Sequence, residues 1–400
     1  MIKSKKIFWV LSILLILSLT LVGCGGAKDE PAPKEEAKKE EAKAPAALKI
    51  GFLGDLTGDT AMYGQNTLDG MKMAVEDING AGGVLGSNFE IVEADHRYDK
   101  AEAANIVQKF VNSDKVIAVI GDPTTGITKA TAPIINQGNV VQISAGATGP
   151  GVVEIGPYIF RNTLLDSVGG PTTMDYLVNE LGWKKVALIT AVNNDFSVGL
   201  SAIFKEGILK NGGEVVIEES VQDGDTDFSG QVTNVKKSGA EVIVFSGYYT
   251  EGGLIMKEVR KQGMSDIIMV GGDGLQAPTF WELGGSAVEG SVSYAGFSPE
   301  QPTPEVEKFI ERFKAKYGKA PDLFHAQGYD AVMLVAEAIK NANSADPKVF
   351  KDALAKIQDY PGVSGNTSFD ANREPIKSPV YLLQVKDSNW TLLKKVPVKK

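Results

Sequence analysis

Two successive runs of strand and helix in β-α-β-α-β-α-β order predict an α/β protein built on two doubly wound parallel sheets, each covered by helices on both faces. Short apolar, β-prone segments recur along the chain, and amphipathic segments separate them. The folded part, about 350 residues, is too long for one simple core and suits two lobes. In the first run Ile50 to Gly54, Phe89 to Ala94, Val116 to Ile120 and Val140 to Ser144 read as strands. Leu68, Met71, Val75 and Ile78 fall at three- and four-residue steps, and that helix stops at Asn79-Gly80-Ala81-Gly82-Gly83. Ala104, Val107, Phe110 and Val111 mark a second helix.

The second run repeats the order with unlike residues. Val186 to Thr190, Val215 to Glu218, Val242 to Phe245 and Ile267 to Val270 are its strands, with helices near Val198 to Lys210, Phe228 to Lys237 and Gly252 to Gln262. Val306 to Tyr317, Gly328 to Asn341 and Pro347 to Ile357 then read as helices. Val380 to Val385 and Trp390 to Lys394 read as a hairpin about Lys386-Asp387-Ser388-Asn389. Periodicity assigns these late segments to neither lobe.

The first 23 residues read as an export signal: Lys3, Lys5 and Lys6, an apolar run from Ile7 to Val22, then small residues. That run falls short of the roughly 20 residues that span hydrocarbon, although a permanent anchor is the alternative. Leu21-Val22-Gly23-Cys24 resembles the lipobox of bacterial lipoproteins, which implies cleavage before Cys24 and lipidation of its thiol. Cys24 is the single cysteine in 400 residues, so a disulfide framework is excluded. Residues 24–47, almost all charged residues, Ala and Pro, read as a tether, with a solvated helix as the alternative for its Glu/Lys-rich middle. The expected location is extracytoplasmic, lipid-anchored to the outer face of the cell membrane. Loss of residues 1–23, with three lysines and no acids, moves the formal charge from −9 to −12, which disfavours nucleic acid and anionic lipid as partners of the mature surface.

In open parallel sheets ligands bind beyond the carboxyl ends of the strands. There the first run carries Asp55 to Gly64, Gly121-Asp122-Pro123-Thr124-Thr125-Gly126 and Ala145-Gly146-Ala147-Thr148-Gly149-Pro150. The last two join hydroxyls to expected helix starts, where unpaired N–H groups favour an anion such as a carboxylate. Plain N-capping is the other reading of those hydroxyls. The second run offers Asn193 to Ser197, Gly247 to Glu251 and Gly271-Gly272-Asp273-Gly274. Asp273 is a candidate partner for a cation and Tyr248 a ring or hydroxyl contact, each of which is in isolation also an ordinary turn or packing residue.

The segments GFLGDLTGDTAMYGQNTLDGMKMAVEDINGAGGVLG, IGDPTTGITKATAPI, QISAGATGP, FRNTLLDS, FSGYYTEGG, GGDGL and HAQGYDAVMLVAEAI, in this order, resemble the branched-chain amino acid type of periplasmic-binding-protein-like solute-binding proteins of ABC importers. The likeness runs from about Leu48 to Val396. It implies the type I fold, two lobes joined by a three-strand hinge: residues 48–165 and 298–375 in lobe I, 166–297 and 376–400 in lobe II, with crossovers near Leu165, Phe297 and Pro375. It implies that Thr125, Thr148 and the backbone near Gly146 hold a ligand α-carboxylate and that Asp273 receives the α-ammonium. Tyr63, Phe196, Tyr248 and Phe324 match positions that line the pocket or close on the side chain. Phe196 stands where the leucine-type protein has a tyrosine, Tyr98 and Thr124 where it has a disulfide, and Asp273 where it has a glutamate.

The expected function is capture of an amino acid, branched-chain or otherwise apolar, by hinge closure, and its delivery as a monomer to the permease of an ABC importer. A small amide, a urea-like compound or an aromatic acid is the alternative ligand, and a ligand sensor the alternative role. An enzyme is disfavoured, with no cofactor expected: the chain has two histidines, no Walker loop and no Gly-x-Ser-x-Gly turn. His96 lies in Asp95-His96-Arg97-Tyr98-Asp99, which reads as a solvated turn rather than a metal site.

Overall fold

Sheet positions are set by runs of buried apolar side chains. In the computed structural model, which describes residues 46–398 apart from residue 301, β1 (Leu48–Gly54) is buried from Ile50 to its end. Its helix α1 (Ala61–Gly80) leads to β2 (Phe89–Asp95), α2 (Lys100–Lys109), β3 (Ala118–Gly121), α3 (Thr125–Gln137), β4 (Val141–Ser144) and β5 (Ile159–Arg161). These five strands form one sheet in the order β2-β1-β3-β4-β5, parallel throughout.

After α4 (Asp166–Asp175) come β6 (Lys185–Ala191), α5 (Asp195–Lys210), β7 (Glu214–Val221), α6 (Ser229–Ser238), β8 (Val242–Ser246), α7 (Tyr249–Lys261), β9 (Met269–Gly271), α8 (Thr279–Gly284) and β10 (Val292–Ala295). The chain then returns through α9 (Pro304–Tyr317), α10 (Leu323–Ala342) and α11 (Pro347–Leu354) to the short ribbon β11 (Ser368–Phe369) and β12 (Pro375–Ile376). It ends in β13 (Val380–Val385) and β14 (Trp390–Val396). The second sheet has the order β14-β13-β10-β9-β8-β6-β7. The hairpin expected at the end of the chain is present and joins this sheet at its edge. Strands β10, β9, β8, β6 and β7 run parallel, but β13 and β14 form an antiparallel hairpin at the edge, because four residues between them leave room for a tight turn and none for a crossover helix.

Helices α10 and α11 pack on the first sheet, while α9 clusters with α10, Met73 of α1, Ala295 of β10 and Leu383 of β13. Helix α10 carries a capping box, in which Asp322 accepts from the backbone of Phe324 and His325 while the His325 ring answers to the Asp322 backbone. It buries Ala331, Val332, Val335 and Ile339 beside Ile50, Phe52 and Met71. Two glycines let α1 and α10 meet backbone to backbone: a Cβ on Gly70 would lie 2.0 Å from the His325 carbonyl oxygen, and one on Gly328 would lie 2.2 Å from that of Thr67. Neither contact can relax by a rotamer change, since the obstacle is main chain. Of the residues expected as signal peptide and tether, 1–47, all but the last two lie outside the described residues. Among the described residues no helix is long and apolar enough to cross a membrane.

The close approach of α1 and α10 yields a stability prediction. Gly328→Ala should lower unfolding stability by about 1–3 kcal/mol through overpacking, read as a lower denaturant midpoint at unchanged slope; an unchanged midpoint would mean the helices can part at no cost.

Candidate ligand-binding site

The carboxyl ends of both sheets face one narrow cavity. From the first sheet's side it is lined by Tyr63, Pro123, Thr124, Thr125, Gly146, Thr148 and Phe324, and from the second's by Phe196, Tyr248, Asp273 and Gly274. All eight residues singled out from the sequence, Tyr63, Thr125, Gly146, Thr148, Phe196, Tyr248, Asp273 and Phe324, therefore surround the same space. Pro123, Thr124 and Gly274 were missed, although each adjoins a residue that was named.

Thr125 opens α3, so its backbone N–H and those of the next two residues lie in the first turn, without partners within the helix. The hydroxyl does not cap α3. Thr125 Oγ1 accepts from the Gly149 N–H at 3.1 Å, which leaves its own proton free to be donated. Thr124, the residue preceding the helix, gives both its N–H (2.6 Å) and its hydroxyl (2.5 Å) to Asp122 Oδ1. The strand above can turn this sharply because Gly121 has φ +97°, and a Cβ there would meet the Leu53 carbonyl oxygen at 2.0 Å.

The loop after β4 departs from expectation. Ala145 to Pro150 begins no helix; it runs irregularly to a single short turn at Val153–Ile155. Gly146, Gly149, Pro150 and Gly151 are poor helix formers, and a buried guanidinium supplies the order instead. Arg161 Nη1 donates to the carbonyls of Ala147 (2.8 Å) and Gly149 (2.5 Å), and its other edge pairs with Glu374 at 2.7 and 2.5 Å. Thr148 is thus presented by a loop clamped from behind rather than by a helix start.

On the opposite rim Asp273 is buried, and two backbone N–H groups, its own and that of Gly274, point to its carboxylate. Burial, followed by the charge of Asp166, nevertheless pushes its pKa well above the usual carboxylate range. Asp166 escaped the sequence reading. It opens α4 at the passage between the sheets, receives the Tyr294 hydroxyl at 2.6 Å, and is likewise raised by burial. Nothing in its spacing marks it, because Tyr294 stands 128 residues away.

Rings floor the cavity. Phe196 and Tyr248 stack at 5.6 Å with 6° between planes, and Tyr63 lies 4.4 Å from Phe324 and 5.6 Å, edge-on, from Tyr248. Asn194 caps α5 and so fixes the start that carries Phe196. The two sides also bond to each other directly: the Tyr63 hydroxyl to the Gly274 carbonyl (2.5 Å), Tyr249 to that of Asp59 (2.9 Å), Tyr98 to Asp223 (3.1 Å), and Lys100 to Asp195 (3.1 Å). The cleft is shut in this structure.

His96 is another correction. It lies not in a solvated turn but fully buried, 2.6 Å from the equally buried Asp122. Among the described residues no group of acids, His or Cys is arranged to hold a metal.

Residues 47–389 match the family described as Periplasmic binding protein. A relative from Pseudomonas aeruginosa, named leucine-, isoleucine-, valine-, threonine-, and alanine-binding protein, is 30% identical over 81% of this chain and 86% of its own. The crystal structure of the leucine binding protein LivK from Thermotoga maritima superposes with a TM-score of 0.83 at 32% identity, covering 88% of this chain and 99% of that one. That of the branched-chain amino acid transporter substrate binding protein LivJ from Streptococcus pneumoniae, in complex with isoleucine, gives 0.82 at 34%, covering 88% and 100%. A match over most of the sequence, on two sheets whose carboxyl ends meet at one shut cleft, assigns the chain to the periplasmic binding protein family of extracytoplasmic binding proteins.

Proposed function

We propose that the protein captures an apolar amino acid as its zwitterion and delivers it to an ABC importer. The observation that carries this reading is the polarity of the cavity: donors at one rim, a lone buried carboxylate at the other, rings between. The first turn of α3 and the hydroxyls of Thr125 and Thr148 suit an α-carboxylate, and Asp273 suits an α-ammonium. Tyr63, Phe196, Tyr248 and Phe324 suit an aliphatic side chain. The names of the relatives in Pseudomonas, Thermotoga and Streptococcus agree with that ligand class.

Mechanism follows from cost. The ligand lands by its carboxylate on the first lobe, and the second lobe closes once Asp273 meets the ammonium, removing water from both charges. A charge left unpaired in that dry space is penalised, while each charge-assisted hydrogen bond returns about 1.5–3 kcal/mol. Lobe I comprises residues 48–165 and 298–375 in this reading, lobe II the remainder after the tether. The protein works as a monomer held at the outer face of the membrane by lipid on Cys24, with the permease of the importer as its partner.

The test begins with refolding to remove bound ligand and a screen of amino acids, amides and aromatic acids by melting temperature. Leucine, isoleucine or valine at a hundredfold excess over Kd should add about 2.7 kcal/mol, a shift of a few degrees, and Asp273→Ala should abolish it with circular dichroism unchanged. A midpoint moved only by an amide or an aromatic acid overturns the zwitterion.

The shut cleft also predicts a pH dependence. Glu251 is buried and accepts the Gly224 N–H at 2.9 Å; burial first, and then the charges of Asp223 and Asp59, raise its pKa from 4.5 to about 7. An acid with a folded pKa above its unfolded value binds more protons when folded, so its contribution favours the folded state below about pH 4.5 and is lost as pH rises toward 7. Glu251→Gln should therefore flatten the decline in stability across that window and leave the variant more stable than wild type at pH 8 by on the order of 2 kcal/mol, measured by urea unfolding at each pH. Parallel curves would show that the carboxylate is solvated.

A further inference from the structure

Among the buried titratable groups that the function just proposed leaves unused are His96 and Asp122. We infer that His96 is a positioning residue for ligand capture: through Asp122 it fixes the Thr124–Thr125 turn that presents the carboxylate donors. The inference rests on the ligand reading above only for the role of those donors.

Both side chains are fully buried, with His96 Nε2 2.6 Å from Asp122 Oδ2. The ring's protonation follows from its other nitrogen. The backbone N–H of Tyr98 donates to His96 Nδ1 at 3.1 Å, and an N–H can donate only to a lone pair, so the proton resides on Nε2 and is given to Asp122. With Oδ2 thus engaged, the second oxygen of Asp122 faces Thr124, taking its N–H at 2.6 Å and its hydroxyl at 2.5 Å. The Asp122 carbonyl is held as well, by the hydroxyls of Thr128 (3.0 Å) and Ser144 (2.6 Å). The carboxylate therefore cannot rotate without abandoning a buried donor on one side or the other, which strands a polar group away from water. Thr124 and Thr125 both line the cavity, and the next residue is already in the first turn of α3.

Topology makes this a fixed distance. His96 follows β2 and Asp122 follows β3, and those strands flank β1 on its two sides. The His96 N–H donates to the carbonyl of Gly54 at the end of β1. The imidazole thus spans the central strand, so that the rim donors are referenced to the sheet rather than to their own loop.

Glutamine and asparagine separate the two ring nitrogens. His96→Gln places an amide N–H where Nε2 stood and should retain the Asp122 bond; His96→Asn places its oxygen near Nδ1 and loses that bond. In the ligand-free mature protein, hydrogen exchange at the Thr124 amide should be at least tenfold faster in H96N than in wild type, and within about threefold in H96Q. Leucine affinity should fall at least tenfold in H96N and be restored to within threefold in H96Q. Equal exchange in all three proteins, or a lowered melting temperature in H96N with exchange and affinity unchanged, overturns the inference and leaves His96 a core residue only. If H96N does not fold, the tautomer in wild type decides: nitrogen NMR should show His96 protonated at Nε2 with a slowly exchanging proton, and an Nδ1-protonated ring overturns the inference. If wild type binds no amino acid, the ligand reading fails, while the exchange and tautomer arms still decide the positioning role.

Discussion

The arrangement turns on a carboxylate removed from water with no cation beside it. Asp273 is buried, its nearest strong electrostatic neighbour is another acid, and only backbone N–H groups moderate its charge. Desolvation of an unpaired charge is the largest single penalty a cavity of this size can impose, and in proteins it is met by neutralisation or by a partner. With the cleft open, water fills that role. With the cleft shut, the role falls to a proton or to a cationic guest, so the equilibrium between the two states is tied to what the cavity contains. Asp166 reinforces the tie, because a second raised carboxylate behind the first makes neutral solutions less tolerant of an empty, closed cleft.

The other rim needs the opposite property, donors that do not collapse onto acceptors of their own. The fold achieves this by occupying the acceptors first. Asp122 engages Thr124, Thr125 Oγ1 engages the Gly149 N–H, and Arg161 takes the two loop carbonyls that would otherwise face the cavity. What these bonds leave unengaged includes the N–H groups of the first turn of α3 and the Thr125 hydroxyl proton. Parallel strand order is what allows it: β1, β3 and β4 all end at the same edge, and the loops from those ends converge without any of them crossing another.

Much of this was legible in the sequence because buried parallel strands write themselves as short apolar runs, and because loops after such strands are where ligands gather. The strands at Ile50, Phe89, Val186 and Val242 were placed to within a few residues on that ground. β5 was not, being three residues that include Arg161, nor was β10, in which Ser293 and Tyr294 interrupt the apolar pattern. Helix α4 carries two glycines, a proline and five residues with hydroxyl or carboxylate groups, Asp166, Ser167, Thr172, Thr173 and Asp175, so neither periodicity nor propensity announces it. The site residues emerged from loops and from family likeness; the residues that set their geometry did not. His96 and Asp122 are 26 positions apart, and Asp166 and Tyr294 are 128, and those pairings exist only because the fold brings segments distant in sequence together.

The two halves of the cavity discriminate by different physics and therefore with different strictness. A missing methylene against rings such as Phe196, Tyr248, Tyr63 and Phe324 alters binding by about 1–3 kcal/mol, and those rings already pack on one another, so they adapt to side chains of several shapes. For the zwitterion proposed above, a missing ammonium would leave Asp273 stranded, and a missing carboxylate would leave the first turn of α3 without an acceptor; both faults would fall on buried groups. Such a cavity is strict about the charged end of its guest and lenient about the apolar one.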